Sequence, residues 1–579
     1  MTTKTHFDII EHEADLCVVG GGIAGLCAAV AAARNGSRVI LIQDRAVLGG
    51  NASSEVRMWI CGARGPDNKE AGILEEIMLD NYHRNPTLNY PIWDTVLYEK
   101  ARFQPGLTML LSCTCNDVRM DGDRIASIRA WQLNTQTWHI VNARYFADCS
   151  GDSVLRISGA EYRWGRESRH EFNESLAPAV ADRQTMGSSI LIQLREIAEG
   201  EHRPFIPPAW AIKYDERNLP NRPLKPEGHN FWWLEVGGTG DTIADTEANR
   251  DELLRTAYGV WAYIKNHPDG RGQRWELEWI GATPGKRENV RYVGDHILTQ
   301  NDILSEGRFD DIVAYGGWPM DDHHPDAIHY PGEPTIFHKA PSPFGIPYRA
   351  LYSRNIGNLF FAGRNISATH MALSSTRVMG TTALLGQAAG TAAAVAARHG
   401  ASPRGVYERH LRELQETLMD DDSWLPGLLR PIPEICQEAQ LFASAGDPEP
   451  LRNGVDRTLG KEDNGWWAPP GESVTYYFGS PMKLSTARLV FDSNLHNLKR
   501  MPCSYPLKGY DVKIPGMMTR AFDLEILDSA GQWQVAQREE NNYQRLVKVP
   551  LAVETAGLRI IPRASWGGER VHLFGFDAR

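Results

Sequence analysis

Cysteine is scarce in this chain of 579 residues: there are eight, and no two form a Cys-x-x-Cys pair. Cys113 and Cys115 are separated by one residue, a spacing that fits neither a zinc nor an iron–sulfur centre. Eight thiols in so long a chain make no disulfide framework. The sequence therefore predicts no metal, a reduced and cytoplasmic setting, and no internal iron–sulfur wire. Positive charge is short as well. Lys and Arg number 61 against 72 Asp and Glu, a net charge of −11, which speaks against a nucleic-acid partner and an anionic membrane surface. Residues 1–13 hold no apolar run, so no signal peptide is expected. Residues 379–397 are small and apolar enough to suggest a membrane span. Thr381, Thr382, Gln387 and Thr391 within that stretch favour a helix packed closely on a sheet.

What the chain does have begins at Val18-Val19-Gly20-Gly21-Gly22-Ile23-Ala24-Gly25. Residues 14–19 read as a buried strand, 26–34 as an Ala-rich helix, and 38–42, after Gly36, as a second strand. In that setting Gly20 permits the tight turn, Gly22 lets backbone approach a pyrophosphate, and Gly25 lets helix and strand pack closely. The helix start, Ile23 and Ala24, offers free N–H groups and a positive dipole end to phosphates. A dinucleotide site is predicted here. The acidic residue expected at the end of the second strand, for ribose hydroxyls, is replaced by Gln43, with Asp44 next; either can serve. No second Gly-x-Gly-x-x-Gly appears, so no dedicated nicotinamide domain is expected.

Three later motifs follow in order: Gly49-Gly50-Asn51-Ala52-Ser53-Ser54, Ala147-Asp148-Cys149-Ser150-Gly151-Asp152, and Asn358-Leu359-Phe360-Phe361-Ala362-Gly363-Arg364-Asn365. With the opening turn they resemble the bacterial FAD-dependent oxidoreductase family. That family is related to the flavin subunit of heterodisulfide reductases, and some members carry the label xanthan lyase-like. The resemblance spans roughly residues 14–400. It implies non-covalently bound FAD. Gly50, Asn51, Ser53 and Ser54 would run past the flavin, and Asp148 and Gly151 would meet the adenosine end. Gly363 and Arg364 would approach the cofactor, with a helix from about 377 to 398, including Thr381 and Thr382, aimed at the flavin pyrimidine. Cys61 reads as a small buried residue beside the ring.

The fold class expected is α/β: a two-dinucleotide-binding, glutathione-reductase-type Rossmann-like FAD domain (1–165 and 336–436) with an inserted α+β substrate domain (166–335). A C-terminal all-β sandwich of galactose-binding-like type (437–579) follows, read from short alternating strands, 545–549 and 557–561 among them. Within the first part, helices are expected at 71–83 and 92–104, and strands near 107–113, 117–120, 124–132 and 138–141 make a small inserted sheet. In the insert, Met320-Asp321-Asp322-His323-His324 is the most chemical stretch. Adjacent His residues point apart, so a metal is disfavoured and a general base or substrate contact favoured. His329 stands nearby. His370 follows the late FAD strand, and Arg377 can bind an anionic or hydroxylated substrate; Tyr348 and Arg349 are weaker candidates.

These readings predict an FAD-dependent oxidoreductase moving a hydride between a hydroxylated small molecule and flavin N5. A sugar or glycoside is favoured, with His370, His323 or His324 as base. A redox-neutral lyase or epimerase is the second reading. An electron-transfer or carbohydrate-binding flavoprotein without chemistry of its own is the third. The electron acceptor is not legible, and a homo-oligomer is left open.

Overall fold

The structure, a computed structural model, describes residues 6–496, 500–505 and 512–579. Residues 1–5 of the stretch read for a leader lie outside the described residues. The chain divides into two units: Met1–Ala63, Leu88–Leu414 and Arg500–Asp511 form the first, and Arg64–Thr87, Gln415–Lys499 and Val512–Arg579 the second. The expected helix at 71–83, found at Ile73–Arg84, thus belongs to the second unit and not to the FAD domain. The insert 166–335 stays within the first unit.

The first unit is organised on a sheet whose elements, in chain order, are as follows. β1 (Ile9–Val19) leads into α1 (Ile23–Arg34) and β2 (Val39–Ile42). After α2 (Tyr90–Arg102) come β3 (Leu107–Leu110), β4 (Cys113–Asp121), β5 (Arg124–Gln132) and β6 (Thr137–Asp148). Far along the chain are β7 (Leu359–Phe361), α3 (His370–Thr376) and α4 (Met379–His399). The parallel order is β3-β2-β1-β6-β7, and the strand ends β1, β6 and β7 align at Val19, Asp148 and Phe361. β4, β5 and β6 form an antiparallel meander. The sequence assigned 107–113 to that small sheet; instead β3 pairs parallel with β2, because Leu107 to Leu110 extends the buried nucleotide sheet.

α4 is buried along nearly its whole length and lies on α1. The close approach has a sequence cause. A Cβ on Gly386 would overlap the Ala24 carbonyl, and one on Gly390 the Ala28 carbonyl. Among the described residues no single helix is long and apolar enough to cross a membrane; α3 and α4 together pass that test only as a pair bent by 95°.

The insert is a set of two- and three-stranded pieces around the helix Thr246–Lys265, with Trp233, Trp261 and Ile264 in its core. Ser504–Tyr505 adds a parallel strand beside Ile192–Glu196.

The second unit contains seven hydrogen-bonded strands in the order 466–468, 571–578, 474–491, 546–565, 519–527, 533–539, with 440–443 also on 474–491. Strands read separately at 545–549 and 557–561 are one strand, Leu546–Ser565. Its pairing with Val474–Phe491 shifts register between Tyr477 and Met482, and those irregularities broke the alternation in the sequence. Arg430, Arg488 and Arg545 are buried in this unit against Asp456, Asp577 and Asp422.

Candidate cofactor and active site

At the carboxyl ends of β1, β2 and β6 lies a cavity of about 270 Å³, where ligands enter doubly wound sheets. Its wall begins at the glycine turn. Gly20 holds φ +102, a conformation only glycine adopts freely, and a Cβ there would strike the Ser150 backbone. A Cβ on Gly25 would overlap the Gly20 carbonyl oxygen, so this glycine serves packing and does not itself line the cavity. Gly22 differs: its φ is ordinary (−61), and an added Cβ meets nothing within 4 Å. It faces open cavity at the start of α1, beside Ile23 and Ala24.

Both residues at the ribose position line the cavity, but Gln43 is already engaged. Its Oε1 accepts from Gly21 N–H at 2.7 Å, and its Nε2 donates to Val47 O at 3.1 Å. Asp44 is exposed beside it. Gly50 and Asn51 line the wall, and Asn51 donates to Lys286 O at 3.0 Å. Ser53 and Ser54 do not line it. Ser53 Oγ donates to Gly50 O at 2.7 Å, and Ser54 N–H donates to Asp94 at 2.9 Å, so they shape the turn from behind.

Asp148 is also displaced from the wall. It is buried at the end of β6 and accepts from Ser150 N–H (3.0 Å), Ser150 Oγ (2.6 Å), Leu155 N–H (2.7 Å) and Tyr292 OH (2.6 Å). It thereby fixes the loop that carries Gly151 and Asp152 to the cavity. Asp152 accepts from Lys286 Nζ (2.6 Å), Arg364 Nη2 (2.7 Å) and Asn289 Nδ2 (2.7 Å). Burial alone would raise its pKa, but Arg364 and Lys286 outweigh that and hold it low. Gly363, at φ +117, and Arg364 line the wall, as does Thr382; Thr381 is buried away from it.

The far end is lined by Met58, Trp59, Cys61, Leu191, Arg287, Trp318, Asp321 and Arg377. Burial pushes the Cys61 thiol up, and its sulfur accepts from Trp59 Nε1 at 3.1 Å. Arg377 Nη2 donates to Asp321 Oδ2 at 3.0 Å. Asp321 Oδ1 accepts from Thr335 Oγ1 at 2.5 Å and lies 3.4 Å from His323 Nε2. Burial acts against the Asp321 charge, yet His323 and Arg377 prevail and keep this carboxyl far below its usual range. His323 Nδ1 meets Glu235 Oε2 at 2.6 Å, and Glu235 faces Arg287 Nη1 at 3.3 Å. Arg377, Asp321, His323, Glu235 and Arg287 thus form one connected chain of ionisable side chains.

The four expected catalytic residues separate. Arg377 is on the wall; His323 stands one residue behind it. His324 is stacked on Tyr330 at 3.6 Å, outside the wall, where burial lowers its pKa. His370 is buried with Nδ1 2.8 Å from Glu288 and Nε2 3.1 Å from Asp322. Burial opposes its charge, but the two carboxylates raise its pKa to about 10. A doubly paired imidazolium is no free base, so His370 is corrected from base to buried cation. Tyr348 donates to Pro403 O, Arg349 pairs with Asp311, and His329 with Glu252, all outside the wall. Lys286, Arg287 and Ser189 were missed; Pro284-Gly285-Lys286-Arg287, two adjacent cations after Pro-Gly in a Trp-rich segment, was the available signal.

A model of the family described as FAD dependent oxidoreductase matches residues 15–418. The chain belongs to that family. No curated protein is significantly similar in sequence. Among solved structures, it is similar to a geranylgeranyl bacteriochlorophyll reductase-like protein from Thermoplasma acidophilum. That match has 13% identity and a TM-score of 0.32, over 71% of this chain and 86% of that one. THI4 from Thermovibrio ammonificans is similar over 29% of this chain and 76% of its own, at 18% identity and TM-score 0.21. A family 32 carbohydrate-binding module of Streptococcus pneumoniae EndoD matches 25% of this chain and 97% of its own, at 16% identity and TM-score 0.20.

This FAD-dependent oxidoreductase has a wall that suits its cofactor. Gly22 leaves open exactly the space a side chain would fill, and Leu26 is the first amide bonded back to the turn, leaving earlier N–H groups at the helix end. Arg364 Nε is buried with no partner among the described residues. Arg364 and Lys286 share the single carboxylate of Asp152, so this part of the wall keeps a net positive charge, which suits a diphosphate.

Proposed function

We propose that this oxidoreductase transfers a hydride between a hydroxylated small molecule, a sugar or glycoside in the favoured case, and its flavin. The observation that carries the reading is the continuity of the cavity. It runs from the glycine turn to a compartment whose wall holds one carboxylate, Asp321, together with Trp59 and Trp318. When bound, FAD supplies the two-electron acceptor or donor. The chain supplies the rest. The indoles exclude water and flank a ring-shaped substrate. Asp321, ionised at neutral pH, accepts the hydrogen bond of the reacting hydroxyl. Asp321 takes up the hydroxyl proton, and His323, which meets Asp321 Oδ1 through Nε2 at 3.4 Å and Glu235 through Nδ1 at 2.6 Å, holds that carboxylate in place. Arg377 holds Asp321 in place.

Anaerobic titration of the yellow holoprotein with sugars, polyols and hydroxy acids tests this. A substrate should bleach the flavin. Asp321→Asn should keep the flavin bound and slow bleaching by about 100-fold or more, the scale of general-base loss. Bleaching unchanged by Asp321→Asn, or absent with every compound, contradicts the reading. Turnover without any external acceptor would mark the redox-neutral lyase or epimerase chemistry instead.

A further inference from the structure

The substrate end of the cavity has more donor capacity than a neutral sugar requires. Its wall carries two guanidinium groups, Arg287 and Arg377, against one carboxylate, Asp321; Glu235 lies behind the wall. Arg377 spends only Nη2, on the backbone and side chain of Asp321. Its Nε is buried and has no hydrogen-bond partner among the described residues. Such an orphaned charged donor costs free energy unless a ligand satisfies it. Arg287 spends Nη2 on Trp232 O at 2.9 Å and Nη1 on Gly187 O at 3.4 Å, and shares Glu235 with His323. Burial lowers its pKa even so, as expected of a cation with too little counter-charge. The remaining wall, Leu191, Trp59, Trp318 and Met58, is apolar, and the anion's charge would be weakly screened there.

We infer that the substrate carries a carboxylate, received by Arg377 and Arg287, so that the substrate class is a hydroxy acid or sugar acid. A planar guanidinium fork matches a planar carboxylate with two parallel N–H···O bonds. The hydroxyl end of the same molecule would then lie at Asp321. This inference rests on the hydride-transfer reading for its chemistry, but not for its test.

The test is binding to the oxidised holoprotein, read as perturbation of the flavin absorbance, with matched pairs: glucuronate against glucose, and glycerate against glycerol. The acid of at least one pair should bind about 10-fold or more tightly than its neutral partner. Arg377→Gln should weaken that acid about 10- to 100-fold and the neutral compound about threefold at most, the range of charge-assisted hydrogen bonds. Arg287→Gln should do the same, and covers the case in which the first variant fails to fold. The comparison within the unaltered protein needs neither. Equal binding of acids and neutral compounds overturns the inference. Equal weakening of both by the variants, or tighter binding of glucose 6-phosphate than of glucuronate, does the same. Acids that perturb the flavin without ever bleaching it leave the carboxylate site standing and remove the hydride-transfer reading. Neutral compounds that bleach it as well as the acids do the reverse.

Discussion

Gly22 and Gly25 stand three residues apart in one turn and respond oppositely to a methyl group. Gly22 has an ordinary φ, and its Cβ would point into open space, so Gly22→Ala should leave thermal unfolding of the apoprotein nearly unchanged. Gly25→Ala drives a Cβ into the Gly20 carbonyl and should cost about 1–3 kcal/mol or more, seen as a lower unfolding midpoint. His370 gives a second residue-scale prediction. Its pKa is raised from 6.5 to about 10, so its stabilising contribution is complete below pH 6.5. That contribution declines above 6.5 and is lost as pH passes about 10. His370→Asn should cost about 3–5 kcal/mol at pH 7, because Asp322 loses its paired cation and Glu288 keeps only Arg291, and should flatten the fall in stability toward alkaline pH. Unfolding midpoints at pH 6.5 and 9.5 check this; an identical slope in both proteins would contradict it. The sequence placed His370 after the FAD strand, but it could not say where the ring turns. Its partners lie 82 and 48 residues away in the chain.

At the scale of elements, α1 and α4 approach through Gly386 and Gly390, and the start of each helix lines the cofactor cavity. Gly386→Ala puts a Cβ onto the Ala24 carbonyl. Separating the helices should lower the unfolding midpoint and also weaken FAD binding, although residue 386 itself is not on the wall. Unchanged FAD affinity in a destabilised variant would contradict that link. These elements were legible because their signals are local: glycine between strand and helix, then unbroken small and apolar residues. β3 was misplaced because a strand of four residues, Leu107–Leu110, cannot tell a parallel partner from an antiparallel one. Leu546–Ser565 was read as two strands because register shifts interrupt the alternation. The insert was hardest, since strands as short as Ser188–Ser189 and Gly285–Lys286 leave no period to find. Lys286 and Arg287, at such a strand, were missed for that reason.

For the whole molecule, the residues lining the cavity belong to the first unit, and the family match over residues 15–418 covers most of that unit together with 64–87 and 415–418 of the second. FAD that binds the folded first unit alone must stabilise it by mass action, by about 2.7 kcal/mol at 100 times its dissociation constant. Unfolding of that unit should move upward with added FAD, and a transition insensitive to FAD would deny the linkage. The chain as a whole carries a net charge of −11, yet Lys286, Arg287, Arg364 and Arg377 all line this one cavity. That concentration is the reason an anionic cofactor and an anionic substrate both suit it.

The most direct measurement is the FAD released on denaturing purified protein, compared for the natural chain and Gly22→Ala at matched circular dichroism. The account predicts FAD equimolar with the natural chain and nearly none with the variant. Equimolar FAD in the folded variant, or none in the natural chain after reconstitution, would contradict it.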